Sequence, residues 1–451
     1  MPSLSRLKAR LDARLARHGD LGSMLIKGVV GTSGIRLAHA ALGFLVAILL
    51  ARALGPSNYG TYTFVMALVG FLTIPSELGV PGLAIREVAV ANTRRDWGSM
   101  RGFIRRAHQG IGVLTLILVA ASALALAIAS DRIDPVRRQS MWLGLALIPL
   151  ISLGALRGAM LKGLRRVLLG QLPEQIIRPA MLAILIAALW LFDSRPLTAP
   201  DVVLLQIVAT SIAFLWGMVT FIRLRPRALA TASPVYRTRD WIKSTLPFGL
   251  TALLALINGR TDVLALGVFR EDAEVGIYRV AVQLALPVIF GLQAVNAIQA
   301  PHIAQLYATG DMKRLQKMIT RSSQAVTAIA VPAVIVIFLF GKPIIRFLFG
   351  AEYTDAHLPL MILAVGQLVN ASTGSVGSLL NMTGHEHDTM RSIMIAVAIN
   401  LVLNFSLTPV WGTVGAAIAT ATTVSVWNLL MWRATYRRIG IRASPFQHRS
   451  Q

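Results

Sequence analysis

Two stretches decide how this sequence folds: Leu54-Gly55-Pro56-Ser57-Asn58-Tyr59-Gly60-Thr61-Tyr62 and Arg270-Glu271-Asp272-Ala273-Glu274-Val275-Gly276-Ile277-Tyr278. Each is a short polar turn between apolar runs, and in each a Gly-x-Tyr opens the next run, 216 residues apart in the two copies. A weaker echo pairs Gly163, between the fourth and fifth apolar runs, with Gly384, between the tenth and eleventh. Six runs separate the copies, an even number, so both halves point the same way. That is a parallel repeat, with a pseudo-two-fold along the membrane normal and a site between the halves near mid-membrane.

Composition extends this reading to the whole chain. Of 451 residues, 55% are hydrophobic and 14% charged, against about 25% charged in soluble domains and more in disordered chains. A membrane-crossing helix needs about 20 largely apolar residues. Such runs fall near 28–50, 57–80, 107–130, 139–161, 167–192 and 200–222, then near 244–268, 275–299, 322–340, 357–380, 391–409 and 412–434. The expected fold is an all-α polytopic membrane protein of about twelve transmembrane helices in two six-helix lobes. The N-lobe takes 28–230 and the C-lobe 231–435, flanked by an arm over 1–27 and a basic tail over 436–451.

The 44 Lys and Arg against 20 Asp and Glu, a net charge of +24, would in a soluble chain suggest nucleic acid. Here the basic residues sort by loop: 32 of the 44 lie in the arm, the tail and alternate loops, and nine in the intervening ones. By the positive-inside rule both termini are expected in the cytoplasm, with no nucleic-acid partner. Residues 1–27 lack the apolar core of a cleaved signal. Leu4, Leu7, Leu11 and Leu15 recur there at helical spacing among basic residues, an amphipathic helix suited to an anionic membrane surface.

The absence of cysteine excludes disulfides, thiolate metal sites and cysteine nucleophiles. No Gly-x-x-x-x-Gly-Lys-Ser/Thr loop is present, so ATP hydrolysis within the chain is not expected. His385-Glu386-His387-Asp388 lacks a supported coordination set, and neither a metal nor another cofactor is expected.

The stretch from Leu50-Ala51-Arg52-Ala53 through Tyr62 resembles the first-loop signature of the polysaccharide transporter branch of the MOP exporter superfamily. Glu77-Leu78-Gly79-Val80, Ala84-Ile85-Arg86-Glu87 and Gly341-Lys342-Pro343 through Tyr353 continue the likeness. The resemblance implies a MATE-like fold and an O-antigen or exopolysaccharide flippase of the bacterial inner membrane. Its substrate would be an undecaprenyl-pyrophosphate-linked oligosaccharide, and its partners membrane lipids, a polysaccharide polymerase and other assembly proteins. Lipid II flippases often follow Leu-Gly-Phe in the first span with an Arg-Asp pair. Here Leu42-Gly43-Phe44 is followed by Leu45, Val46 and Ala47, which argues against that branch.

Charges inside spans are costly, roughly 2.5–3.5 kcal/mol each on insertion scales, and so are candidates for function. Arg36 and His39 share a face of the first span, while Arg260 and Asp262 lie in the seventh. A cation from each lobe would suit a diphosphate, because Arg pairs bidentately with phosphate oxygens. The competing reading of Arg36 is a side chain snorkelling to the headgroups. Asp262 is expected as a local partner of Arg260. Glu174 and Arg178, at i and i+4 in the fifth span, are expected to neutralise each other between Pro173 and Pro179. Glu77 is expected to pair with Arg86. The anionic substrate is thus assigned to Arg36, Arg260 and Arg178, and coupling or charge pairing to Glu174, Asp262, Glu77 and His39. Two other functions fit less well. A membrane polymerase or ligase would resemble its kind in carrying a long polar outer loop, which is missing. A MATE-like drug exporter would need carboxylates where Arg36 stands.

Overall fold

A computed structural model describes residues 20–192 and 195–443. Leu4, Leu7, Leu11 and Leu15, and the tail beyond 443, lie outside the described residues. The first half comprises α1 (Asp20–Glu77), α2 (Val80–Arg94), α3 (Trp97–Ile128), α4 (Pro135–Leu145), α5 (Leu147–Gly163), α6 (Val167–Leu172), a π-turn (Pro173–Ile177), α7 (Arg178–Phe192) and α8 (Ala199–Leu224). The second comprises α9 (Thr238–Phe269), α10 (Asp272–Ala285), α11 (Pro287–Ala308), α12 (Met312–Leu348), α13 (His357–Thr373), α14 (Val376–Met382) and α15 (Glu386–Ile439).

Among the described residues, eight helical stretches are long and apolar enough to cross a membrane, and two bent pairs raise the number to ten. Two of the eight are double. Gly55 (φ 68°, ψ 173°) breaks α1 and Gly412 (φ 52°, ψ −128°) breaks α15, both in backbone regions that a Cβ disfavours. Each arm of these helices is a span, which accounts for the twelve apolar runs. Several helices outrun the apolar runs, α3 by ten residues at its start and α11 by nine at its end. α12 begins ten residues before 322, because the Asp311 carboxylate accepts from the Arg314 N–H at 3.0 Å and starts the helix there. The tenth span stops at Thr373, where Gly374 turns to φ 65°, and the short α14 follows.

Buried side chains form three clusters. One runs through both halves, from Leu50, Leu54, Tyr59 and Tyr62 to Val275, Tyr278, Phe349 and Tyr353. The other two lie at the end of the bundle that carries the termini. One is built from Leu83, Phe103, Leu156 and Trp241, the other from Ile303, Leu315, Leu379 and Ile441. The halves are therefore fused at the far end and have two cores at the terminal end, one of them first-half residues joined by Trp241 of α9 and the other wholly second-half. The link between them is held against the first half, where Val235 N–H donates to Gly98 O at 3.0 Å and Arg101 donates to Ala232 O at 2.7 Å.

The repeated glycines make the fused end. A Cβ on Gly60 would overlap the Asp272 carbonyl, and one on Gly276 would overlap the Pro56 carbonyl. The second arm of α1 and α10 thus cross backbone to backbone, each Gly-x-Tyr lying on the other. Small residues at a membrane helix crossing allow this approach, and packing rather than hydrophobic burial then holds the pair. Replacing Gly60 or Gly276 by Ala is expected to destabilise the protein by about 1–3 kcal/mol. The double variant should lose less than the sum, since one displacement relieves both overlaps. Thermal unfolding in detergent measures both effects.

Candidate functional site

The π-turn in the fifth span sets up the first-half charges. Pro173 has no N–H to continue the α-helical ladder, and the turn widens around Glu174. One freed carbonyl, that of Gln175, accepts from His39 Nδ1 at 2.9 Å, tying the first span to the fifth. Glu174 accepts from Arg178 at 3.1 Å, the pair expected from spacing. It also takes Arg157 at 3.3 Å, which spacing did not foresee.

The fourth apolar run also contains a cation, Arg157. It lies within α5, only 2% exposed and among the largest buried side chains. Its guanidinium donates to Phe214 O at 2.7 Å and occupies the place that a side chain on Gly217 would fill. A cation this deep persists because a carboxylate and main-chain carbonyls surround it. The i,i+4 rule reveals partners on one helix and is blind to this one from another.

Arg260 reaches from α9 to the first half, donating to Met66 O at 3.2 Å. It rests on Gly70, where a Cβ would stand 2.9 Å from its Cζ. The charges of Arg279 and Arg178 both act on it. Arg279 stands on α10 one residue after the repeated tyrosine, within hydrogen-bond reach of the Tyr59 hydroxyl and close enough to act on Tyr62 and Asp262. Its position directly after Gly276-Ile277-Tyr278, inside the eighth apolar run, was the signal available in the sequence.

The expected pairing of Asp262 with Arg260 is not formed. Asp262 Oδ2 accepts from Tyr278 at 2.7 Å and from Thr420 at 3.4 Å, while Oδ1 accepts from Val263 N–H at 2.8 Å. Two residues apart on a helix, the side chains diverge, and Asp262 turns into its own half. Nor does Glu77 meet Arg86, which pairs with Glu87 at 3.2 Å. The charge that Glu77 faces is that of Glu174. Arg36 is exposed, with no ion pair or hydrogen bond among the described residues. Asp388, from the histidine-rich loop, pairs with Arg438 at 3.0 Å.

The arrangement is a cationic face between the halves. Arg178 comes from one half and Arg260 and Arg279 from the other, with the Tyr59 and Tyr62 hydroxyls beside them. The nearby carboxylates, Glu174 and Asp262, are already bound. Beyond this group, toward the fused end, Asp272 bridges Arg137 at 3.3 Å and the Thr61 hydroxyl at 2.6 Å. Arg52 donates to Leu348 O at 2.8 Å, and Tyr353 to Ala51 O at 2.9 Å. Replacing Glu174 by Gln should cost about 3–5 kcal/mol, because Arg157 keeps a buried charge without its partner. Replacing Arg157 by Met together with Glu174 by Leu should recover much of that loss, as thermal unfolding would show.

The sequence pattern of the family described as "Polysaccharide biosynthesis protein" matches residues 25–306, and the MatE pattern matches 247–406. The probable low-salt glycan biosynthesis flippase of Haloferax volcanii is 25% identical over 398 residues, 87% of this chain and 79% of that protein. A provisionally assigned O-antigen transporter of Shigella flexneri is 24% identical over 413 residues, 88% of this chain and 92% of that one. A solved lipid II flippase in an inward closed conformation superposes with a TM-score of 0.70 at 14% identity, over 89% of this chain and 87% of that one. With more than half of its length matched, the chain belongs to the polysaccharide biosynthesis protein family of the MOP superfamily.

Proposed function

We propose that this protein is a flippase for a lipid-linked oligosaccharide bearing a diphosphate, undecaprenyl pyrophosphate in a bacterial inner membrane. One observation carries the reading: three arginines from both halves converge on one face whose carboxylates are already engaged. Such a face has positive charge to offer an anion and little to offer a cation. Arginine suits the task because its planar fork matches phosphate oxygens and it does not deprotonate in a low-dielectric site. Arg178, Arg260 and Arg279 hold the diphosphate, and Arg36, exposed on the first span, meets the substrate on its way in. Glu77 and Glu174 are the carboxylates through which an ion gradient would act.

The moving bodies are the lobes 28–230 and 231–435, with both termini cytoplasmic. The two cores at the terminal end support this division, with Trp241 of α9 crossing into the first of them. In this reading the conformation is closed outward, with Asp272, Arg137 and Thr61 in the outer closure. The protein moves its substrate without chemical change, beside membrane lipids and in sequence with a polysaccharide polymerase and other assembly proteins. Its relatives' names support transport over catalysis.

Replacing Arg260 or Arg279 by Gln should lower translocation of the glycolipid in vesicles by about tenfold or more, and Lys should restore little, since it lacks the bidentate fork. Arg36→Gln should cost less. Full activity in the Arg260 and Arg279 variants together would end the diphosphate reading. Because the chain has no cysteine, single Arg95→Cys and Arg132→Cys variants report orientation directly. An impermeant maleimide added to intact cells should label the second and spare the first.

A further inference from the structure

A groove of about 900 Å³ runs along the seam between the second arm of α1 and the first part of α9, with α3 as its third wall. That is near the top of the roughly 300–1,000 Å³ usual for a ligand pocket. Its lining is almost wholly apolar. Phe71 and Ile74 of α1 and Leu78 of the turn after it face the groove, as do Leu246, Leu250 and Leu253 of α9. Polar side chains gather at one end, where Arg106 lies 4.7 Å over the Tyr236 ring and donates to Gln109. The floor is buried, with Trp241 packed edge-on to Phe103 at 5.3 Å, whereas Leu246 and Leu250 are more than half exposed.

The position of the groove gives it a meaning. The first half touches α9 at two points along this seam, Gly70 of α1 against Arg260 and Gly79, in the turn after α1, against Phe248 and Gly249. Nine residues separate the two glycines, about 13 Å of helix. Between them lie the groove-lining Phe71, Ile74 and Leu78, and opposite them α9 bends by 56° between Leu254 and Gly259. The inner end of the groove is thus one residue from the glycine on which Arg260 rests. One wall belongs to each half, so any rocking of the halves changes its width.

We infer that this seam is the lateral slot for the hydrocarbon chain of the anionic glycolipid, whose headgroup sits on the arginine face. Charge complementarity selects the occupant. The three arginines bind the anionic end of an amphiphile, and the groove starting beside Arg260 takes the apolar end that cannot enter a polar cavity. An ordinary phospholipid lying here would leave its headgroup at Arg106 and the inner cations unanswered. The inference rests on the diphosphate reading above and goes beyond it by naming the path of the chain.

The test uses the full-length wild-type protein in vesicles and a polyprenyl-diphosphate glycan with a diazirine on its terminal isoprene. Adducts are expected in 71–78 and 242–253, and a phospholipid carrying the same diazirine should not compete for them. Ile74→Trp and Leu250→Trp should lower translocation by about tenfold. Binding of a short-chain, water-soluble diphosphate glycan should be unchanged in both, and Leu191→Trp, on an exposed position of α7, should behave as wild type. Adducts spread evenly over exposed helices, equal labelling by the phospholipid, or full translocation by both groove variants would overturn the slot. Failure of the short-chain glycan to bind wild type would instead strike the headgroup reading, and the adduct pattern would still report on the chain.

Discussion

The halves meet backbone to backbone where α1 crosses α10 at Gly60 and Gly276. In a bilayer there is little hydrophobic drive to press helices together, so a tight crossing depends on backbones that can touch. Here a carbonyl of each helix occupies the space that a side chain on the other's glycine would fill. This contact brings Thr61 to Asp272 and sets Tyr59 beside Arg279. It also lets one buried cluster run through both halves, while the terminal end keeps two. A bundle joined at one end and divided at the other is a frame for rocking, with its polar group close to the hinge.

Charge follows the same plan. Arg157 is the most deeply buried of the cations and is fully committed to Glu174 and to carbonyls of α8. Arg178 shares that carboxylate, which leaves the triad with one surplus positive charge. Asp262 is hydrogen-bonded by Tyr278 and Thr420 rather than ion-paired to Arg260, which feels the charges of Arg279, Asp262 and Arg178. Cations in a membrane are costly unless they serve a partner. The fold neutralises Arg157 internally, through Glu174 and main-chain carbonyls.

How much of this was legible in the chain varied with the range of the interaction. Helix count, the two breaks and the repeat depend on local properties: runs of apolar residues and Gly-x-Tyr after a polar turn. The Glu174–Arg178 pair was equally legible, because i,i+4 neighbours meet on any helix. The Asp262 and Glu77 pairings failed for a common reason. Sequence proximity suggested Arg260 and Arg86, but at helical spacing those side chains point elsewhere, and Tyr278 and Glu174 come from other helices.

The sequence by itself determined the solvent, the number of crossings and the two-fold repetition, since these follow from the cost of unsatisfied backbone in hydrocarbon and from patterns a few residues long. Only the tertiary structure decided which arginines stand together. Arg157 and Arg279 lie inside apolar runs, where their place in the chain shows no partner. Packing turned one onto Glu174 and the other onto the seam between the halves, because burial and charge pairing act through space between residues far apart in sequence.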